Sequence, residues 1–128
     1  MKKILMVEDT PHLSEEIADI LRLEGYRVAI AHNGHRAMEL LPESNPDLII
    51  TDLLMPGMDG FELIRQVRSI ASFKSIPIII LSAKTLDDDK LRGKEAGADA
   101  FIRKPCKAHE LVTTINSLLK TKDLSKIT

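Results

Sequence analysis

An apolar run, Leu48-Ile49-Ile50, passes through Thr51 into a lone carboxylate, Asp52, just before the turn-rich stretch Met55-Pro56-Gly57-Met58-Asp59-Gly60. The same grammar recurs. Ile4 to Val7 runs into Glu8-Asp9, the apolar stretch from Ile76 to Leu81 runs into Ser82, and Ala98 to Ile102 leads to Lys104-Pro105. If each run is a buried strand, Glu8, Asp9, Asp52, Ser82 and Lys104 emerge at one edge of a sheet. Crowded carboxylates repel, and a hard divalent cation relieves that repulsion. Mg²⁺ suits such a site because it takes few protein oxygens and completes its shell with waters and a phosphate. Lys104 adds a flexible point charge and Ser82 a hydroxyl donor. A metal, an ammonium and a hydroxyl around one carboxylate can bring a phosphoryl group in line with it and neutralise the charge of the transition state. Asp52 would then be the nucleophile, and an ionised carboxylate needs no base to attack.

The elements that must position these groups can be read from periodicity. Leu48 to Ile50 show no alternation, so both faces of that strand should be buried, as in a parallel sheet covered by helices. In open α/β sheets, ligands sit outside the carboxyl ends of the strands at a switch point. Pro56, Gly57 and Gly60 exclude helix or strand through the loop after Asp52. Thr10 can cap a first helix with Pro11 at its first position, and Leu13, Ile17, Ile20 and Leu21 recur at helical spacing until Gly25. Val28 to Ala31 reads as the second strand. Asn33 caps a short helix through Leu41, which Pro42 should stop.

Phe61, Ile64, Val67 and Ala71 mark the third helix. Thr85 with Asp88 resembles a capping box, and Asp87 to Asp89 match the positive end of a fourth helix better than a metal site. That helix offers only Leu86, Leu91 and Ala96 to a core and contains Gly93, so it is the element expected to move. Leu111, Ile115, Leu118 and Leu119 define the last helix, whose first turn has no obvious cap. The polar tail from Lys120 to Thr128 should fray. The pattern predicts a doubly wound α/β fold of the flavodoxin-like type, (βα)5, with a five-stranded parallel sheet in the order 2-1-3-4-5. Residues 1–120 form the domain and 121–128 a polar tail.

Composition narrows the function classes. A chain of 128 residues can bury one core without staples. Lys and Arg total 18 against 19 Asp and Glu, a formal charge of -1, which gives no basic field for nucleic acid and predicts no direct nucleic-acid partner. Cys106 is the single cysteine, so no intrachain disulfide forms, and a reduced setting fits. It reads as a small, partly buried side chain. Four apolar residues between Lys3 and Glu8 are too few for a signal peptide or a membrane span, which places the protein in the cytoplasm without a membrane partner. His12, His32, His35 and His109 have no ligand spacing and read as solvated, while Met55 and Met58 read as packing.

Glu8-Asp9, Asp52 with Met55 to Gly60, Ser82-Ala83, and Phe101 three residues before Lys104-Pro105 together resemble the receiver domain of bacterial two-component response regulators, the CheY-like family. Each motif is weak alone, but four in order at strand ends are specific, and the resemblance covers residues 3–120. It implies Mg²⁺ bound by Asp9 directly, by Glu8 through water, by Asp52, and by the backbone carbonyl of Leu54. It implies that Asp52 accepts a phosphoryl group from a histidine kinase or histidine phosphotransfer protein, and that Lys104 pairs with that group. Ser82 would sense it, the Phe101 ring would turn inward in response, and the Lys104-Pro105 bond would be cis. The first helix near Pro11 to Glu15 would meet the phosphoryl donor. The fourth helix, fifth strand and fifth helix would meet a downstream target protein, with the chain a monomer or weak dimer. Leu54 and Lys84 would flank the path of a hydrolytic water, and an apolar Leu54 implies slow loss of phosphate. Apart from phosphorylating and dephosphorylating itself, such a domain is not an enzyme.

Three rivals fare worse. A phosphatase of the haloacid-dehalogenase type would place an acid two residues past the nucleophile, where this chain has Leu54. A flavodoxin-like cofactor binder needs a hydroxyl-rich phosphate loop and aromatics, whereas Glu8-Asp9 stand there and the chain has one Tyr and no Trp. A degenerate receiver serving only as a docking module is opposed by the intact acid, hydroxyl and lysine set. Phe101, Ser82 and Lys104 taken singly also read as core, cap and surface residues.

Overall fold

Every residue of the strands Leu48–Thr51 and Ile78–Ser82 is buried, which requires cover on both faces of the sheet. The computed structural model describes residues 1–83 and 87–127. The expectations placed on Lys84, Thr85 and Leu86 lie outside the described residues. In chain order the elements are β1 (Lys3–Val7), α1 (Pro11–Leu23), β2 (Arg27–Ala31), α2 (Gly34–Ser44), β3 (Leu48–Thr51) and α3 (Gly60–Arg68). A 3-10 turn at Ala71–Phe73 follows, then β4 (Ile78–Ser82), α4 (Asp87–Ala96), β5 (Ala100–Arg103) and α5 (Ala108–Ile127). The five strands lie in the order 2-1-3-4-5 and all pair in parallel, as predicted.

Alternation along β1 sorts the core into two halves. Leu5 and Val7 join Ile49, Ile78 and Ile80 under Leu41 of α2 and Ile64 and Val67 of α3. Ile4 and Met6 join Leu48, Ile50 and Ile79 under Ile17 and Leu21 of α1 and Leu111 and Ile115 of α5. The sheet is therefore the rigid centre on which the strand-end residues are mounted.

Several local expectations need correction. Thr10 precedes α1, but its side chain makes no capping bond. Helix α2 continues past Pro42 to Ser44 and ends at Asn45 in the left-handed conformation, φ 44°. Near a helix end, proline costs only its own amide bond and the helix can close its last turn. Ala71 is not part of α3, which stops at Arg68; it opens the separate 3-10 turn. Helix α5 runs on to Ile127, past the expected domain end at residue 120, with Thr121 bonding back to the Ser117 carbonyl and Asp123 paired to Lys2 at 3.0 Å. No Gly or Pro interrupts it.

Helix α4 is anchored differently from its sequence pattern. Leu91, expected in the core, is 57% exposed, and Gly93 faces inward instead. A Cβ at Gly93 would sit 2.7 Å from Ile80 Cδ1, so the absent side chain lets the helix lie directly on β4.

The loop after β3 is held by close contacts. Met55 and Met58 are buried, and Met58 packs over Gly34 at the start of α2. Asp59 caps α3 through Glu62 N at 2.9 Å. Gly60 donates to the Leu53 carbonyl at 2.9 Å, and a Cβ there would lie 2.3 Å from the Asp52 carbonyl oxygen. Gly60→Ala is expected to cost about 1–3 kcal/mol through overpacking, read as a lower urea midpoint at unchanged slope.

Candidate functional site

Parallel register places the strand ends side by side. Val7 pairs with Thr51 and Ser82 with Arg103, so the next residues, Glu8, Asp52 and Lys104, leave the sheet at one rim. Asp52 is held by its own backbone surroundings: its amide donates to the Val7 carbonyl at 3.0 Å, and its Oδ1 accepts from Leu53 N at 2.7 Å and Leu54 N at 3.4 Å. Thr51 Oγ1 donates to the Asp52 carbonyl at 2.9 Å. The carboxylate is thereby fixed with its second oxygen, Oδ2, turned toward β5.

Lys104 fills that direction. Its amide donates to the Ser82 carbonyl at 2.9 Å, and its Nζ lies 2.6 Å from Glu8 Oε2 and 3.0 Å from Asp52 Oδ2. The side chains of Lys104, Glu8 and Asp52 are 14%, 3% and 12% exposed, so these pairs are shielded from bulk water. The Lys104-Pro105 bond is cis.

Burial sets the electrostatics. Burial pushes the Glu8 carboxyl above the ordinary glutamate value and the Asp52 charge adds to this, while Lys104 pulls it back. Burial alone would lower the Lys104 ammonium, but its hydrogen bonds and ion pairs with Glu8 and Asp52 outweigh that and raise it. Lys104 is therefore a firmly charged group between two carboxylates.

Glu8, Asp9 and Asp52 each offer an oxygen within 4.8 Å of the others. An all-oxygen set of three carboxylates at a partly open rim fits a hard divalent cation and does not fit a soft metal. Ser82 is buried at the last position of β4, and Phe101 is half-buried on β5, packed toward Ile80 and Gly93. Leu54 is 60% exposed beside the carboxylate.

Two features were not legible beforehand. His32, read as solvated, is exposed as expected, but it also lies just past β2 with Nδ1 3.1 Å from the Glu8 carbonyl oxygen. With His35, Arg36 and Gly57 it lines a cavity of about 790 Å³ that reaches Asp9. Only its place one residue past the second strand hinted at the rim. The second feature is an apolar groove of about 440 Å³ between α1 and the residues after β5, lined by Leu13, Ile17, Lys104, Pro105 and Cys106. Burial pushes the Cys106 thiol up, in keeping with an unreactive, partly buried side chain.

Comparison with known proteins gives this rim a context. The family profile described as the response regulator receiver domain matches residues 4–116. The DNA-binding response regulator MtrA of Mycolicibacterium smegmatis is 38% identical over 119 residues, which cover 93% of this chain and 51% of MtrA. The chain thus spans about half the length of that relative. The receiver domain of a signal transduction histidine kinase from Syntrophus aciditrophicus superposes with TM-score 0.88 at 40% identity, covering 94% of this chain and 92% of that one. The chemotaxis protein CheY4 of Vibrio cholerae gives TM-score 0.88 at 32% identity, covering 92% and 98%.

The expectation of no nucleic-acid partner does not stand, because MtrA, matched over half its length, is a DNA-binding protein. A net charge of -1 describes one domain and carries no information about other parts of a longer protein. Among the described residues no helix is long and apolar enough to cross a membrane. Sequence, fold and the family profile agree, and this chain belongs to the response regulator receiver domains of two-component systems.

Proposed function

We propose that this receiver accepts a phosphoryl group on Asp52 from a histidine kinase in a Mg²⁺-dependent reaction in the cytoplasm, and that the change is passed to the face formed by α4, β5 and α5. The observation that carries this reading is the Lys104 ammonium lying 2.6 Å from Glu8 and 3.0 Å from Asp52 in a cluster of three carboxylates. Three carboxylates beside one ammonium leave negative charge uncompensated at a partly open rim, which a hard cation would offset.

An Asp52 carboxylate oxygen attacks phosphorus, forming a P–O bond as the P–N bond to the donor imidazole breaks. The electron pair of that bond stays on the imidazole nitrogen, which takes a proton. Glu8, Asp9, Asp52 and the Leu54 carbonyl would hold Mg²⁺, which when bound supplies positive charge to the phosphoryl oxygens. Leu53 and Leu54 amides orient the carboxylate. Lys104, already within ion-pair distance, would pair with the charge of about -1.5 to -2 that the phosphoryl group carries, the carboxylate's own charge being lost as the acyl phosphate forms. Ser82 would sense the new oxygens, and Phe101 would repack on the Gly93 side as α4 shifts. In a longer protein comparable to MtrA, the controlled output would be DNA binding.

Incubation with acetyl phosphate and MgCl₂ is expected to add one phosphoryl mass to the wild type and none to Asp52→Ala, read by intact mass spectrometry; equal labelling of the variant would end the proposal. MgCl₂ should raise Tm relative to EDTA, by the equivalent of about 2.7 kcal/mol at a hundredfold excess over Kd, and Asp9→Ala should abolish the gain. Leu54→Asn supplies a hydrogen bond for an attacking water. At about 1 kcal/mol per bond, it should shorten the lifetime of the phosphorylated protein about fivefold, followed by the decay of the phosphoprotein mass.

A further inference from the structure

Arg68, the last residue of α3, distributes its guanidinium over three segments. Nε and Nη2 donate to the Gly97 carbonyl at 3.1 and 2.7 Å, Nη2 also to Asp99 Oδ2 at 3.1 Å, and Nη1 to the carbonyls of Phe73 and Ile76 at 3.3 and 2.6 Å. Its side chain is only 19% exposed. Asp99 is locked in turn, since its Oδ2 accepts from Ile78 N and its amide donates to the Ile78 carbonyl, both at 2.8 Å. One planar fork therefore ties the end of α3, the entry to β4 and the junction of α4 with β5.

The end of α4 is shaped to receive it. Gly97 has φ 118°, and its amide and that of Ala98 return to the Gly93 carbonyl at 3.1 and 2.9 Å, a glycine-ended helix terminus. A Cβ at Gly97 would lie 2.9 Å from Arg68 Nε, so glycine serves both the backbone conformation and the close approach of the guanidinium. The other half of the helix turns Lys90, Leu91 and Arg92 to solvent while Asp89 is buried; the Arg92 guanidinium lies 4.0 Å from Asp89 Oδ1 and 4.3 Å above the Phe61 ring of α3. An exposed cation–π contact is readily exchanged for water.

We propose that Arg68 makes the Gly97 end of α4 a fixed pivot, so that the helix moves by swinging its Asp87 end while the α4–β5 junction stays in place. The link to signalling rests on the reading that phosphorylation of Asp52 moves α4, but the pivot is a property of the resting protein. An ammonium cannot reproduce the fork, so Arg68→Lys keeps the charge and loses the geometry.

Hydrogen exchange resolved to single amides tests this, on the wild type, Arg68→Lys and Asp99→Asn, each with and without beryllium fluoride and MgCl₂. In the resting wild type, the amides of Gly97, Ala98 and Asp99 should exchange about tenfold or more slowly relative to Leu91 and Arg92. Both variants should narrow that gap while Ile79 on β4 stays protected, and Asp99→Asn guards against a folding defect peculiar to residue 68. Adding beryllium fluoride should change Leu91 and Arg92 and leave Gly97 to Asp99 as they were. Equal exchange along the resting helix, an unchanged gap in both variants, or a response at Gly97 to Asp99 as large as at Leu91 would overturn the pivot. A gap that behaves as expected with no amide responding to beryllium fluoride would uphold the pivot and remove the phosphorylation reading.

Discussion

Three carboxylates at one end of a buried sheet repel one another, and the Lys104 ammonium between Glu8 and Asp52 offsets that repulsion. The attraction is steep because the partners are largely screened from water. It also depends on the strand order. Lys104 starts on β5 and Asp52 on β3, two strands apart in the sheet, or about 10 Å at the usual spacing. A long unbranched side chain must therefore stretch over the end of β4, where Ser82 lies. Ser82 thus lies at the end of the strand that the Lys104 side chain crosses. A sheet that shifted its register by one residue would turn each of these groups to the wrong face.

That requirement explains the contrast between the sheet and α4. The strands are apolar on both faces and packed into two cores, so the positions of Glu8, Asp52 and Lys104 are fixed by the most resistant part of the molecule. The fourth helix has few apolar contacts and exposes Leu91, yet Gly93 lets it touch Ile80 and the Phe101 ring. A rigid source of charge is thereby set beside an element whose position a small free energy can change.

The sequence made the sheet and the rim legible because both follow from simple periodicity. Unbroken apolar runs before Glu8, Asp52, Ser82 and Lys104 gave the strands, the order of the elements limited the topology, and strand ends located the chemistry. Legibility failed where tertiary contacts override local pattern. Leu91 sits at a helical apolar spacing, but the glycine at position 93 decides which face of α4 meets the sheet. Pro42 looked like a stop, yet the left-handed Asn45 ends the helix. Arg68 carried no signal at all, since an arginine at a helix end reads as a dipole partner until its carbonyl acceptors are known. His32 reached the Glu8 carbonyl through the parallel pairing of β1 with β2, which no local motif encodes. The charge balance was a poor guide to nucleic acid because it describes these 128 residues alone, while the DNA-binding relative MtrA is matched over about half its length.

The pairing of Lys2 with Asp123 has a mechanical consequence. It clasps the late turns of α5 to the chain just before β1, at the opposite pole of the sheet from the acids. A five-residue strand spans about 17 Å, so a disturbance born among the carboxylates must travel the depth of the slab before it is felt there. The Lys2 and Asp123 side chains are 39% and 49% exposed, so the pair sets where the late turns of α5 lie beside the start of β1 but holds them only weakly against water.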